Sequence, residues 1–295
     1  MIDAHNWLAT QFEAERPRLR AIAYRMLGSL AEAEDAVQEA WLHLSRSDPG
    51  AVSNLGGWLT TVVARVCLNM LRARKTRREE SLEISELEAV RDAEGAIDPE
   101  QEMELADAVG LALLVVLDTL APEERLAFVL HDIFGVPFNK IAPLVEREVA
   151  ATRQLASRAR RRVRGRASMQ EADLAASRGV VEAFLAAARE GSFDALLAVL
   201  DPDIVVRIDA QVVPAGVPRE MRGAATVAKL VVEHAQLFRT CEAALVDGSV
   251  GVVVAPYGRL RAVGDLLIKG GRITAFTAIF DPARLRRLHL AVLDD

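Results

Sequence analysis

Apolar residues recur at helical spacing through the first 76 or so positions. Between Ala31 and Leu44, residues Ala33, Val37, Ala40, Trp41 and Leu44 fall on one helical face, and Asp35, Gln38, Glu39 and Leu42 fall on the opposite one. The first face reads as core. The stretch SRSDPGAVSN interrupts the pattern with clustered Asp, Pro, Gly and Asn, and a new helix is predicted from about Leu55 to Arg74. Its expected core face is Leu55, Leu59, Val62, Val63, Val66 and Met70. Trp58, Thr61, Arg65, Asn69 and Arg72 share the outer side.

From Glu79 to about Glu102 the chain is acidic and weakly periodic, and Gly95 and Pro99 interrupt it, as in an exposed spacer. Helical pattern returns over Leu105–Leu120, stops at Ala121-Pro122 and resumes with EERLAFVLHDIF, where Pro122 suits the first turn and Gly135 the end. PFNKIAPLV, a break at Glu146–Glu148 and VAATRQLASRARRRVRG then read as a helix-turn-helix. In its second helix Thr152, Leu155, Ala159 and Val163 point inward, and Arg153, Ser157, Arg160, Arg161 and Arg164 point outward.

Beyond Gly165 the pattern changes. Helices are predicted around Leu174–Arg189, Phe193–Leu200 and Ala224–Phe238, and a strand at DIVVRID. CEAALV, GVVVAP, LRAVGDLLIK and RITAFTAIF follow as strands with turn signals at Asp247-Gly248 and Gly270-Gly271. Helices followed by a run of antiparallel strands predict an α+β domain. The expected organisation is a helical domain at residues 1–78, a linker at 79–104, a helix-turn-helix domain at 105–166 and an α+β domain at 170–295.

Composition agrees with several helical domains and a β component: 51% of the 295 residues are hydrophobic and 5% aromatic. No cationic, apolar leader or long apolar run is present, so a soluble, cytoplasmic protein without membrane attachment is expected. Cys67 and Cys241 lack companions at metal spacing, which predicts buried thiols and neither a disulfide framework nor a metal site. The net charge of −6 argues against a simple nucleic-acid coat protein. Yet the cations concentrate in residues 65–78 and 147–166, on either side of the acidic stretch.

An arginine-rich second helix in a helix-turn-helix fits the major groove. Arg153, Gln154 and Ser157 are placed to reach base edges, and Arg158, Arg160, Arg161 and Arg164 to hold the DNA backbone; the competing reading is a solvated basic helix end. Trp58, Arg65, Asn69 and Arg72 beside the polar loop Ser47–Asn54 suit a single strand that stacks on Trp58 and sends an unstacked base into the loop. An ordinary surface around a half-buried Trp58 is the alternative. Asp35, Gln38 and Glu39 around Leu42 suit a partner-binding helix or a solvated surface, and lack the neighbours a metal site needs.

YRMLGSLAEAEDAVQEAWLHL, NLGGWLTTVVARVCLNMLRAR and LAPEERLAFVLHDIFGVPFNKIAPLVEREVAATRQLASRARRRVRG closely resemble domains 2 and 4 of extracytoplasmic-function sigma factors. The resemblance covers roughly the first 165 residues. It implies two all-α sigma domains, a non-enzymatic transcription initiation factor without cofactors, and core RNA polymerase and promoter DNA as partners. Asp35, Gln38, Glu39 and Leu42 would dock on the polymerase β′ clamp, and the β flap is a further expected contact. Asn54, Trp58, Thr61, Arg65, Asn69 and Arg72 would read and melt the −10 region. Arg153, Gln154, Ser157, Arg158, Arg160 and Arg161 would bind the −35 element, and the acidic linker would mimic nucleic acid in the polymerase cleft.

The C-terminal part resembles the SnoaL-like (NTF2-like) domain of the SigJ-type subgroup, which implies a fused regulator with a possible small ligand in a conical cavity. The chain departs from that subgroup's pattern: its linker lacks a Trp-Leu-Pro segment, and Asp209-Ala210-Gln211-Val212 stands where an Asp-Gly-Gly-Gly-Lys loop is usual. Two other functions compete. One is a ligand-responsive helix-turn-helix transcription regulator, which needs no polymerase-docking face. The other is an enzyme in the C-terminal domain that enlists Asp209, Glu233 and His234 as acid–base groups. A tether of a few residues near Gly165–Met169 makes the regulator reading testable: truncation after about Arg166 is expected to change transcription several-fold.

Overall fold

A computed structural model of the chain describes residues 2–46, 54–80, 109–165, 171–209 and 219–293. The predicted loop at 47–53, the linker at 81–104 and positions 210–212 of the candidate C-terminal loop lie outside the described residues. Two compact units are present, one drawn from residues 1–105 and 117–161, the other from 106–116 and 162–295.

The first unit opens with α1 (Ile2–Leu27), α2 (Leu30–Ser45) and α3 (Leu55–Glu80). The Ser29 hydroxyl caps α2 by accepting from the Glu32 amide at 3.5 Å, and Asn54 Oδ1 caps α3 by accepting from the Gly57 amide at 2.9 Å. Leu19, Ile22 and Met26 of α1 meet Val37, Ala40 and Leu44 of α2 in the core. The α3 contribution is shifted from the predicted stripe. Val62 and Met70 are only half-buried, while Ala64, Cys67, Leu68 and Leu71 are buried. Because α3 packs against both α1 and α2, it buries a band wider than a single amphipathic stripe.

Region 117–161 continues with α5 (Pro122–Phe128), which runs on through a π-helical turn at Val129–Ile133 and ends before Gly135 at φ 68°. The short α6 (Phe138–Ile141) and α7 (Val149–Arg164) form the helix-turn-helix, with Glu146 left-handed at φ 53° in the turn between them. The preceding helix, α4 (Leu111–Asp118), has its residues up to 116 in the second unit.

The second unit is α+β, as expected. Helices α8 (Glu171–Glu190), α9 (Phe193–Val199) and α10 (Ala224–Glu233) share a core with the sheet through Val181, Phe184, Leu196, Val227 and Val231. The strands are β1 (Leu200–Ile208), β2 (Glu220–Arg222), β3 (Cys241–Val246), β4 (Ser249–Val254), β5 (Ala262–Lys269), β6 (Arg272–Ile279) and β7 (Leu290–Ala291). A 3-10 turn at Ala235–Thr240 leads into β3, and a single-turn α11 (Pro282–Leu285) follows β6. Their order is β2-β1-β6-β5-β4-β3-β7.

Both predicted hairpins form. Asp247 and Gly248 take φ 48° and 87°, and Gly270 and Gly271 take φ 57° and 74°, the left-handed pair that suits the twist of two joined strands. The sheet is not antiparallel throughout, however: β1 pairs parallel to β6, with Val206 opposite Phe276. Hairpin signals report only neighbouring strands, so this long-range pairing had no local mark.

Cys67 and Cys241 are both buried, and burial pushes each thiol up to about 12. A maleimide is expected to leave both unlabelled in the folded protein at pH 7 and to label both in denaturant. Rapid labelling of the native chain would contradict this packing.

Candidate nucleic-acid interface

The inner face of α7 is buried as predicted at Thr152, Leu155, Ala159 and Val163, and Ala156 joins them. Its outward cations divide into two groups. Arg153, Gln154 and Arg161 are exposed, Arg153 also lying 5.9 Å from the centre of the Phe138 ring on α6. Arg158 and Arg160 turn back toward the bundle. Arg160 Nε lies 2.6 Å from Asp132 Oδ1, an ion pair off the line of a hydrogen bond, and Arg158 Nε lies 3.8 Å from Glu124 Oε1. Ser157 is half-buried, and its carbonyl accepts from Arg161 Nε at 3.4 Å.

On α3, Arg65 and Asn69 are exposed, and Trp58 and Thr61 are half-buried on the same side. Asn54 is exposed but serves as the helix cap, a role its Asn-Leu-Gly-Gly context signals. The Thr61 hydroxyl donates to the Gly57 carbonyl at 2.9 Å. Arg72 is engaged: its Nε and Nη2 both reach Glu123 Oε1 of α5 at 2.9 Å.

The third surface is on α2, where Asp35, Gln38 and Glu39 are exposed and Leu42 is 45% exposed at its centre. Gln38 also lines an apolar cleft of about 350 Å³ between α1 and α2, floored by Phe12, Val37 and Trp41. The rings of Phe12 and Trp41 lie 5.0 Å apart.

Sequence reasoning missed Arg125, the largest fully buried side chain among the described residues. Its Nε donates to the Arg25 carbonyl at 3.0 Å and its Nη1 to Asp118 Oδ1 at 3.2 Å. Burial holds its pKa below the usual guanidinium range, against the pull of Asp118. A signal existed, because Arg125 stands three and four residues before the buried Phe128 and Val129, on their face of the helix.

Comparison with known proteins assigns these surfaces to a family. Residues 11–77 match Sigma-70 region 2, and residues 110–163 match Sigma-70, region 4. The probable ECF RNA polymerase sigma factor SigI of Mycobacterium tuberculosis is 35% identical over 284 residues, covering 95% of this chain and 96% of that protein. The chain belongs to the ECF RNA polymerase sigma factors. SigJ of the same organism is 36% identical over 274 residues, covering 91% of this chain and 86% of its own length. The crystal structure of M. tuberculosis SigJ aligns with 94% of this chain and 98% of its own, at 31% identity and a TM-score of 0.44.

As a sigma factor, the chain serves RNA polymerase in promoter-specific transcription initiation. Among the described residues of this sigma factor, no helix is long and apolar enough to cross a membrane, and no group of three or more His, Cys, Asp or Glu is placed to hold a metal ion.

The C-terminal unit does not bring the conjectured acid–base residues together. Asp209 is tied down, accepting from the Phe280 amide at 2.8 Å and pairing with Arg284. Glu233 and His234 are exposed at the end of α10, where His234 Nδ1 lies 2.9 Å from the Leu230 carbonyl.

That unit instead grips the ends of region 4. Glu242 on β3 accepts from the Ala112 amide at 2.7 Å, capping α4, and Leu114 packs on Gly258. At the other end the Val163 carbonyl accepts from the Val292 amide at 2.8 Å. Gly165, with φ 62°, sits so close to Ala291 that a Cβ there would come within 2.4 Å of the alanine's own.

Proposed function

We propose that this sigma factor docks on the β′ clamp of core RNA polymerase through Asp35, Gln38, Glu39 and Leu42 and also touches the β flap. In this reading it melts the −10 element with the Asn54–Arg72 face of α3 and reads the −35 element with α7. The observation that carries the reading is the division of α7 into a packed inner face and an exposed Arg153, Gln154 and Arg161. A two-sided helix of this kind fits the major groove with its first outward side chains at base edges. Trp58, Thr61, Arg65 and Asn69 supply an aromatic, polar groups and a cation for an unstacked strand. The C-terminal domain, SnoaL-like (NTF2-like) in this reading, is a fused regulator that sets the ends of region 4 through Glu242 and Val292. Any small ligand would act through that grip.

Run-off transcription with core polymerase on −35 variants tests the assignment. Arg153→Ala and Gln154→Ala are expected to change which −35 sequences are used, by about 1–3 kcal/mol at the contacted positions. Arg161→Ala is expected to weaken all promoters alike and to flatten the salt dependence by about one phosphate contact. Arg158 and Arg160 belong to a different class. Their ion pairs to Glu124 and Asp132 make Arg160→Ala chiefly a stability change, since it leaves Asp132 without its cation. Equal losses on every promoter for all four variants would remove the base-reading assignment.

A further inference from the structure

We infer that the first unit is a closed, resting form of the sigma factor, in which α5 of region 4 is latched onto region 2 by Arg125 and Glu123 and must release before both promoter elements are engaged. The inference rests on the assignment of α3 and α7 to the −10 and −35 elements. Positions −10 and −35 are about 25 base pairs apart, or roughly 85 Å along straight duplex at 3.4 Å per base pair. A compact unit of about 150 residues is only about 40 Å across, from the scaling of radius with chain length. Yet regions 2 and 4 lie in one such unit, with α5 packed on α3. Both readers cannot reach their elements from this arrangement.

The latch has two parts on one helical turn. Glu123 takes Arg72, the cation at the far end of the −10 face, through a two-pronged contact at 2.9 Å. While that pair is made, the guanidinium is answered by a carboxylate and does not pair with phosphate. Arg125 is the bolt, entering the core of region 2 to reach the Arg25 carbonyl. Around it, Arg25 lies 5.4 Å from the centre of the Phe134 ring, which draws the π-helical end of α5 to α1.

The bolt is also what makes the latch releasable. A guanidinium 2% exposed has given up its hydration, but its recorded partners are one carbonyl and one carboxylate that is itself 47% exposed. Nη2 is buried beside Gly28 and finds no hydrogen-bond partner among the described residues. Burial of a charge with incomplete pairing stabilises the closed form little, and opening returns Arg125 to water. A purely structural contact is better served by an apolar side chain of similar volume. The arginine therefore points to a contact selected to come apart when polymerase or promoter offers Arg72 and region 2 a competing partner.

The test uses the full chain with donor and acceptor dyes on Ala31→Cys and Asn139→Cys. Both positions are exposed, and the native thiols are buried. Energy transfer in the free protein reads closure without DNA. Glu123→Arg, which sets a cation against Arg72, is expected to lower transfer and raise the open population about fivefold. The charge swap Arg72→Glu with Glu123→Arg is expected to restore wild-type transfer, and this rescue separates an opened latch from a damaged fold. Arg125→Met, apolar and of similar reach, is expected to hold transfer high when core polymerase is added, whereas the wild type opens. Wild-type transfer in Glu123→Arg, or a swap that fails to restore it, overturns the latch. Failure of the promoter assignment shows separately, as indifference of run-off transcription to the α7 variants.

Discussion

Removing everything after Gly165 is expected to unfold the start of region 4, with the loss of −35-dependent transcription as a consequence. Leu111, Leu114, Val115 and Val116 are each at most 5% exposed, and residues 106–116 pack with the C-terminal unit. Burial of a Val or Leu side chain contributes about 1.5–3 kcal/mol, so uncovering these four costs on the order of 5 kcal/mol or more. That is comparable with the whole stability of a small domain. The truncation also removes Glu242 from the α4 amide and Val292 from the last turn of α7.

The truncated chain should therefore melt at a lower temperature than the full chain and aggregate. Such a deletion does not read regulation, because it removes a structural partner together with any regulator. Glu242→Gln is the cleaner probe: it keeps the domain and loses only the charge at the α4 cap, worth about 1 kcal/mol. A truncated chain that keeps its melting temperature and transcribes normally would refute the packing argument.

Asp35→Arg should weaken binding to core polymerase by about a hundredfold or more and leave the fold intact. Asp35 is exposed on the face opposite the buried Val37 and Ala40. Surface substitutions of this kind usually change stability by no more than about 0.5 kcal/mol. Reversal of a charge inside an interface typically costs about 2–5 kcal/mol, and each 1.4 kcal/mol is tenfold in affinity. Leu42→Ala, at the apolar centre of the same face, should cost less, about 1–2 kcal/mol. Co-elution with core polymerase, set beside a melting curve, checks both. Undiminished co-elution of Asp35→Arg would move the docking face elsewhere.

The helices, their exposed faces and the two hairpins were legible because each is written in local spacing. The 3.6-residue period placed Asp35, Gln38, Glu39 and Leu42 on one side of α2 and Arg153, Gln154 and Arg161 on the outer side of α7. The dipeptides Asp247-Gly248 and Gly270-Gly271 placed the turns. What local spacing does not carry is the identity of the neighbour. Arg158 and Arg160 share a helix with Arg153 and Arg161, but Glu124 and Asp132 come from earlier in the chain to meet them. Arg72 likewise sits on the predicted outer face, yet Glu123, 51 residues away, takes it.

The larger decisions were tertiary. Glu242 caps a helix 130 residues earlier, and β1 finds β6 in parallel across the whole hairpin series, neither with a mark in its own neighbourhood. Arg125 reads as a surface charge in sequence, because a lone cation in an amphipathic helix usually faces water. Packing of α5 against α1 and α3 sends it inward instead. Sequence by itself determined which faces are apolar and which carry charge, since that depends on residues a few positions apart. The fold decided which charges stay free for DNA and polymerase and which are consumed in holding the chain together, since a charge is neutralised by whatever the fold places within a few ångströms of it.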